Sequence, residues 1–551
     1  MKVGEYISKL FTKLKLKHYF AIPGDYNLAL LDFLKKNQVV KAIYCTNELN
    51  MSYMADGYAR TNGLAVFITT FSVGGLSAIN GVAGAFAEDL PVLHISVGPH
   101  TDDKVEFHTM HHTIGLPDTT YVEKAFETVT VFSKRIDNVH NVVKYFDQAL
   151  RLMTEHKKPA YIELPMNLAK ETLPIIDIPN VPISVCKTIK NKKLLNQIIT
   201  KINSSQRPVI VIGTRMKHFR RIMNNFIAKT KFATCCLPNA YGIVSISNPN
   251  YIGVYWEKIS SPGVQQIIKN SDFIIYLGCL INDYNSSGYT HKNIPSQTLF
   301  IGSESVKYNN VSYETSSITY LLNYVSKKIR PNNTNLKLFK KIKKPIETNV
   351  IPSSKPLTLY AMRKITENYI TNNTSIYIET GTSWLLGIFL QLAPKTDFQI
   401  QMQYGSIGWS LGAAAGAYFA NNNKRIFLFI GDGSFQMTVQ AISTMIRYNM
   451  KGLIFLVNNS GYVIEDAIHK GPYNTINNWD YSKVLSVIDP LGLKSITFDV
   501  LTTNAFNTAI KKSLRSNKLC LLNCHISRTD VQKKLFKWGR DVGKYNSRKS
   551  K

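Results

Sequence analysis

The sequence lacks any apolar run long enough to cross a bilayer. Stretches such as Leu64–Phe71 and Phe273–Ile281 fall well short of the roughly 20 residues a spanning helix needs. It also lacks a signal-peptide pattern. The N-terminal MKVGEYISKLFTKLKLKHYF is lysine-rich and amphipathic, with no continuous apolar core and no small-residue cleavage site, and reads as the first helix of the fold. No Cys-x-x-Cys pair occurs among the seven cysteines, Cys45, Cys186, Cys235, Cys236, Cys279, Cys520 and Cys524. Their odd number and scattered positions argue against a disulfide framework and favour a reducing, cytoplasmic setting. Cys520, Cys524 and His525 lie in LCLLNCHI, which reads as a buried strand rather than a metal site. Gly-x-Gly-x-x-Gly is missing too: RPVIVIGTRMKH has one glycine after its strand, which excludes a dinucleotide fingerprint there. Acidic residues are scarce, 36 against 66 lysines and arginines, for a net charge of +30. Such an excess raises binding to nucleic acid or an anionic surface. Lysine, asparagine and isoleucine are abundant throughout, however, and the densest run, LKLFKKIKK at Leu336–Lys344, falls in an expected linker without interleaved aromatics. The expectation is no specific nucleic-acid partner and no membrane.

What is present describes a large globular protein. The 551 residues are 44% hydrophobic and 11% aromatic, too many for one core and apolar enough for several. Short β-rich runs alternate with helical stretches: AVFITTF (65–71), VLHISVG (92–98), AYIELP (160–165), PVIVIGT (208–214), FIIYLG (273–278), SIYIET (375–380), RIFLFIG (425–431) and GLIFLVN (452–458). Near-continuous hydrophobicity suits strands covered on both faces, so the fold class is α/β with parallel sheets. Proline-rich Leu173–Lys190 and polar Arg330–Pro356 interrupt the pattern and leave three segments, 1–175, 190–328 and 356–551, each read as one α/β domain.

The third segment carries the strongest chemical signal. One strand runs into Gly431-Asp432-Gly433-Ser434 and then a helix, FQMTVQAISTMIRYN; the next runs into Asn458-Asn459-Ser460-Gly461-Tyr462. Both loops belong at the C-terminal edge of neighbouring parallel strands, where such sheets bind ligands. Glycine lets backbone N–H groups approach a diphosphate closely. Asp432, Asn459 and the Gly461 carbonyl offer the oxygen ligands that Mg²⁺ prefers. Either loop alone reads as an ordinary turn; the pair, one helix apart, does not.

That pair resembles the thiamine-diphosphate motif, which begins GDG and ends NN. The resemblance extends over nearly the whole chain. Ala21-Ile22-Pro23-Gly24-Asp25-Tyr26-Asn27, Asn47-Glu48-Leu49-Asn50 with the MADGYAR that follows, Phe71-Ser72-Val73-Gly74-Gly75-Leu76-Ser77-Ala78 and His111-His112-Thr113-Ile114-Gly115 are similar to stretches of the thiamine-diphosphate-dependent 2-keto acid decarboxylases, in the pyruvate/indolepyruvate branch. WEKISSPGVQQ in the middle segment and KWGRDVGKYNSRK at the end fit the same branch. It implies pyrimidine-binding, central (Rossmann-like) and diphosphate-binding domains, thiamine diphosphate and Mg²⁺ as cofactors, and a homo-oligomer, dimer or tetramer, whose active sites are shared between subunits. It further implies that Glu48 hydrogen-bonds the cofactor's pyrimidine and so promotes the ylid. Asp25, His111, His112 and Glu465 then move protons around the enamine and the product. Read by itself, Glu48 would merely favour a helix dipole.

The resemblance also implies that Ile407 and Gly405, in QYGSIGW, hold the cofactor bent. Thr380 and Thr382, in ETGTSW, join Gly431, Asp432, Gly433, Ser434, Asn459, Gly461 and Tyr462 around it. Tyr284, Trp384, Ile464 and Ile468 match pocket residues whose bulk favours pyruvate over aryl pyruvates. The expected reaction is non-oxidative decarboxylation of a 2-keto acid, pyruvate first. The alternatives are a decarboxylase of larger keto acids such as indolepyruvate or phenylpyruvate and, further off, a carboligase resembling acetolactate synthase.

Overall fold

A computed structural model describes residues 1–174, 192–290, 298–302, 305–308, 311–314, 317–343 and 355–549. Cys186 and most of the proline-rich stretch before Lys190 lie outside these residues. Three sheets organise the rest, as the alternating apolar runs imply. The first is wholly parallel, in the order Lys41–Tyr44, His18–Ala21, Ala65–Thr70, Val92–Gly98, Ala160–Pro165, Ser133–Arg135. The third is also wholly parallel: Asp397–Ile400, Thr374–Ile378, Arg425–Gly431, Gly452–Asn458, Leu519–His525, Ser495–Val500. The middle sheet has seven strands, parallel from Thr298–Ile301 through to Tyr251–Val254, with Ser305–Tyr308 and Val311–Glu314 antiparallel at one edge. Ala65–Thr70, Val92–Gly98 and Gly452–Asn458 are buried at every residue, which is why they read as unbroken apolar runs.

In the first sheet the chain moves outward to one side after His18–Ala21 and then to the other with Ala65–Thr70. In the third sheet the same reversal falls between Thr374–Ile378 and Arg425–Gly431. Crevices at such reversals, beyond the strands' C-terminal ends, are where open parallel sheets accept ligands.

The first and third sheets are joined by the helices Glu48–Asn62 and Trp409–Ala420, which touch backbone to backbone. A Cβ on Gly57 would stand 1.8 Å from the Ala413 carbonyl oxygen, and one on Gly416 1.8 Å from that of Met54. A buried charge pair locks the seam: the Arg60 guanidinium meets Asp56 at 2.7 Å and lies over the Trp409 ring at 4.7 Å, while the Trp409 indole donates to Asp56 at 2.9 Å.

Two expectations need correction. The basic run at 336–344 is not a bare linker: Thr334–Lys341 is a helix whose Leu336 and Phe339, with Ile342 beyond, pack on the middle sheet while Lys337, Lys340 and Lys341 face solvent. The helix expected at 435–449 is two, Asp432–Thr438 and Ala441–Arg447. At the break the Ile442 and Ser443 N–H groups bond three residues back, to Val439 and Gln440 (3.0 Å each), while the Thr438 carbonyl accepts from the Asn50 amide at 3.4 Å and that of Gln440 also from the Thr46 hydroxyl at 3.3 Å.

Candidate active site

Register places the two glycine-containing loops side by side. Gly431 pairs with Val457 on the next strand, so the chain leaves the sheet at Asp432 and at Asn459 from the same edge. Asp432 is buried and knits the loops together. Its Oδ2 accepts backbone N–H groups from Asn459 (3.0 Å), Ser460 (2.5 Å) and Gly461 (3.3 Å), and its Oδ1 accepts that of Gly433 (2.8 Å). Burial pushes the Asp432 carboxyl up, and these donors pull it back. Ser460 and Gly461 have positive φ, 61° and 142°. A Cβ on Gly461 would stand 2.3 Å from the Asn474 carbonyl oxygen, so only glycine fits. Gly433 is small for a reason other than ligand approach: a Cβ there would strike the Tyr462 ring at 2.4 Å. Gly431 faces open space, with no atom within 4 Å of where its Cβ would stand.

Arg528 clamps the second loop from outside. Its guanidinium donates to the Ser460 carbonyl (2.5 Å), the Asn474 carbonyl (3.3 Å) and the Asp466 carboxylate (2.6 and 3.1 Å).

Across the crevice, Thr374–Ile378 leads into Glu379, Thr380 and Thr382. Glu379 is buried; its oxygens accept from the Ser410 N–H (3.1 Å), the Ser410 hydroxyl (2.6 Å) and the Thr380 N–H (2.8 Å). Burial raises it to about 7 despite these donors. The Thr380 hydroxyl is buried with no partner among the described residues. Thr382 opens the short helix Ser383–Gly387. The QYGSIGW segment closes the floor. Gly405 and Gly408 have positive φ, and no atom lies within 4 Å of a Gly405 Cβ position. Ser406 is fixed by Gln401 (2.9 Å) and Tyr53 (2.7 Å), leaving Ile407 half-buried at the crest of the turn. An orphaned hydroxyl, open space above two glycines and a buried carboxylate at the ends of adjacent strands fit a diphosphate with its hard cation.

The first sheet offers a second constellation. Glu48 opens the helix Glu48–Asn62, where Asn47 caps by accepting the Asn50 N–H at 3.0 Å. Its carboxyl has no side-chain partner among the described residues, lies against Gly74 (3.2 Å from that residue's Cβ position), and is raised by burial. After His18–Ala21, Asp25 meets His111: Oδ2 to Nε2 is 2.7 Å, with His112 Nε2 3.8 Å from Oδ1. The Tyr26 hydroxyl donates to the His111 carbonyl at 3.0 Å and orients the pair. His112 takes φ 62°, a left-handed turn that brings the two rings to 4.7 Å. These three ligand-type side chains are exposed, with their ligand-type atoms within 4.8 Å of one another.

Glu465 lies on the helix Val463–Ile468 just after the Asn459 loop, and burial raises its carboxyl as well. Ile464 is buried and Ile468 half-buried on the same short helix. Tyr284 and Trp384 meet edge to face at 5.7 Å, and both contact Trp538.

The candidate residues therefore fall into two groups. Asp432, Asn459, Gly461, Tyr462, Glu465, Thr380, Gly405 and Ile407 gather at the third sheet. Asp25, Glu48, His111 and His112 gather at the first. Among the described residues, no hydrogen bond or ion pair joins Glu48 to the Asp432 loop, or the histidines to Glu465. Sequence reasoning missed Arg528, whose SRTD context carries no motif and which meets Ser460 only through the fold. It also passed over Glu379 as a titrating group, since nothing local foretells its complete burial.

Comparison with known proteins supplies the family. Residues 1–120 match the N-terminal thiamine pyrophosphate binding domain of thiamine pyrophosphate enzymes, 195–314 their central domain and 380–524 their C-terminal binding domain. A probable pyruvate decarboxylase of Schizosaccharomyces pombe is 33% identical, over 99% of this chain and 96% of that protein. Pyruvate decarboxylase 3 of Arabidopsis thaliana and pyruvate decarboxylase 1 of Pisum sativum are each 34% identical over 99% of this chain and 94% of theirs. With three matched domains on three sheets and full-length kinship, the chain belongs to the thiamine-diphosphate-dependent enzymes, in their pyruvate decarboxylase branch.

Proposed function

We propose that this protein decarboxylates pyruvate to acetaldehyde and CO₂, with thiamine diphosphate and Mg²⁺ bound where the Gly431–Ser434 and Asn459–Tyr462 loops converge. The observation that supports it most is the buried Asp432 carboxylate, which gathers the N–H groups of Asn459, Ser460 and Gly461 beneath the open face of Gly431. Bound thiamine diphosphate supplies the carbon nucleophile and electron sink that amino-acid side chains lack. Asp432, Asn459 and the Gly461 carbonyl would hold the cation. Gly431, Gly433, Ser434 and Tyr462, with Thr380 and Thr382 opposite, surround the diphosphate. Gly405 and Ile407 support the rings.

Glu48 holds or releases a proton at its carboxyl, whose affinity burial raises, opposite the cofactor's pyrimidine. The Asp25–His111–His112 group and Glu465 deliver one proton to the nascent aldehyde carbon and remove one from its hydroxyl. Imidazoles suit both duties near neutral pH. Tyr284, Trp384, Ile464 and Ile468 bound a small apolar pocket that accepts a methyl ketone and crowds an aryl group.

The two groups are half-sites completed by a second copy, giving a homo-oligomer, dimer or tetramer. Exposed apolar side chains accompany each half: Leu28, Val73, Phe107 and Ile114 beside the first, Met437 and Tyr473 near the second. Such surfaces commonly mark protein contacts. The six described cysteines are free thiols, which supports a cytoplasmic setting. Product analysis from ¹³C-pyruvate tests the reading: acetaldehyde and CO₂ in equal amounts are expected, and acetolactate as the main product would overturn it.

A further inference from the structure

Tyr284 belongs to a loop after the strand Phe273–Leu277 that is held more tightly than a surface turn requires. Asn282 and Asn285 exchange reciprocal bonds, the Asn282 N–H to Asn285 Oδ1 at 2.9 Å and the Asn285 N–H to Asn282 Oδ1 at 2.8 Å. Asn282 also donates to the Met402 carbonyl at 2.9 Å and so ties the loop to the QYGSIGW segment. Ser287, Gly288 and Tyr289 follow with three positive φ angles, 52°, 72° and 51°.

The Tyr284 carbonyl accepts three donors: the Ser287 N–H at 3.2 Å closes the turn, and two indoles join it. Trp256 Nε1 donates at 2.8 Å and Trp538 Nε1 at 3.0 Å. Both tryptophans are 1% exposed, and their rings meet edge to face at 6.4 Å. Trp538 touches the Tyr284 and Trp384 rings directly. Among the described residues Trp256 meets one ring, that of Trp538. It comes from the end of Tyr251–Val254 in the middle sheet, and its own N–H donates to the Ser260 hydroxyl at 2.8 Å. The turn that follows rides on the C-terminal helix Lys533–Asn546, where Lys258 pairs with Asp541 at 3.4 Å.

We propose that Trp256 is a positioning residue for substrate size: by fixing the Tyr284 carbonyl it holds the Tyr284 ring against Trp384 and keeps the pocket closed to large 2-keto acids. This rests on the proposed function. A side chain important only for folding lowers turnover of every substrate equally. A size filter changes the ratio of two substrates.

The experiment compares kcat/KM for pyruvate and phenylpyruvate in the holoenzyme carrying Trp256→Phe, which keeps a ring and removes the donor. Loss of one such bond predicts a fall of about fivefold in the pyruvate-to-phenylpyruvate ratio. Trp256→His, which restores a ring N–H, should recover part of it. Ser260→Ala, which frees the turn behind Trp256, shifts the ratio the same way by less and decides the matter if the tryptophan variant does not fold. An unchanged ratio in folded Trp256→Phe, or failing that in Ser260→Ala, overturns the role. Absence of keto-acid turnover in the unaltered protein refutes instead the proposed function on which it rests.

Discussion

Removing the Arg528 fork should loosen the cation site without touching it. Arg528 reaches the Ser460 carbonyl, one residue from each of two proposed metal ligands, while its other nitrogens bind Asp466 and the Asn474 carbonyl. In Arg528→Met the length of the side chain survives and every donor is lost. Asp466, 18% exposed, is left without its cation, and Arg528 itself is one-third exposed at 33%. Solvent screening at that exposure keeps the stability cost near the low end for a charged hydrogen bond, about 1 kcal/mol. The effect on the metal is larger, because groups that orient ligands typically control affinity by about 10–100-fold. With one carbonyl of the loop released, the low end is expected, about tenfold weaker apparent Mg²⁺ binding. The assay titrates Mg²⁺ at saturating thiamine diphosphate and reads both turnover and heat of binding. Arg528→Lys, which retains charge without the planar fork, should fall between. An unchanged Mg²⁺ half-saturation in a variant that loses only stability would refute the reasoning.

Four further outcomes follow from the geometry. Glu379, raised by burial from 4.5 to about 7, keeps a proton in the folded state that the unfolded chain releases. Its contribution is full below about pH 4.5 and disappears as pH rises through about 7, at most about 3 kcal/mol; urea midpoints between pH 5 and 8 should fall more steeply than in Glu379→Gln, and parallel slopes would contradict this. Gly416→Ala places a Cβ 1.8 Å from the Met54 carbonyl, so the helix seam must open at a cost of about 1–3 kcal/mol or more, read as a lowered Tm. Chains carrying Glu48→Gln mixed with chains carrying Asp432→Asn should regain activity in hybrid dimers, because one of two shared sites is then intact; no recovery under demonstrated subunit exchange would count against sharing. Trp384→Ala removes one wall of the aromatic pocket and should move preference from pyruvate toward phenylpyruvate, measured as the ratio of kcat/KM.

Much of this was legible in the sequence because it is local. The unbroken apolar runs foretold strands covered on both faces, and Gly431–Ser434 with Asn459–Tyr462 foretold adjacent strand ends because one helix separates them. The glutamate at 48 and the histidine pair were legible through kinship, since a carboxylate near a helix start is otherwise unremarkable. What escaped is non-local. The break at Val439–Gln440 coincides with contacts from Thr46 and Asn50, nearly four hundred residues earlier, to the Gln440 and Thr438 carbonyls. Leu336 and Phe339 were hidden inside a lysine run, whose charge spoke for solvent while its spacing placed the apolar residues on one helical face. Gly433 was expected to admit phosphate, yet the Tyr462 ring already accounts for its size. The Arg60–Asp56 pair sits at helical i,i+4 spacing, but the Trp409 indole that bonds Asp56 comes from a helix some 350 residues later, which no local rule anticipates.

The most direct test strips the purified protein of diphosphate and metal, then follows aldehyde release from pyruvate by coupled NADH oxidation as each component is returned. The account predicts negligible turnover with either alone, restoration when thiamine diphosphate and Mg²⁺ are added together, and none in Glu48→Gln. Aldehyde formation that persists in the fully stripped protein, or that never appears in the reconstituted one, would contradict it.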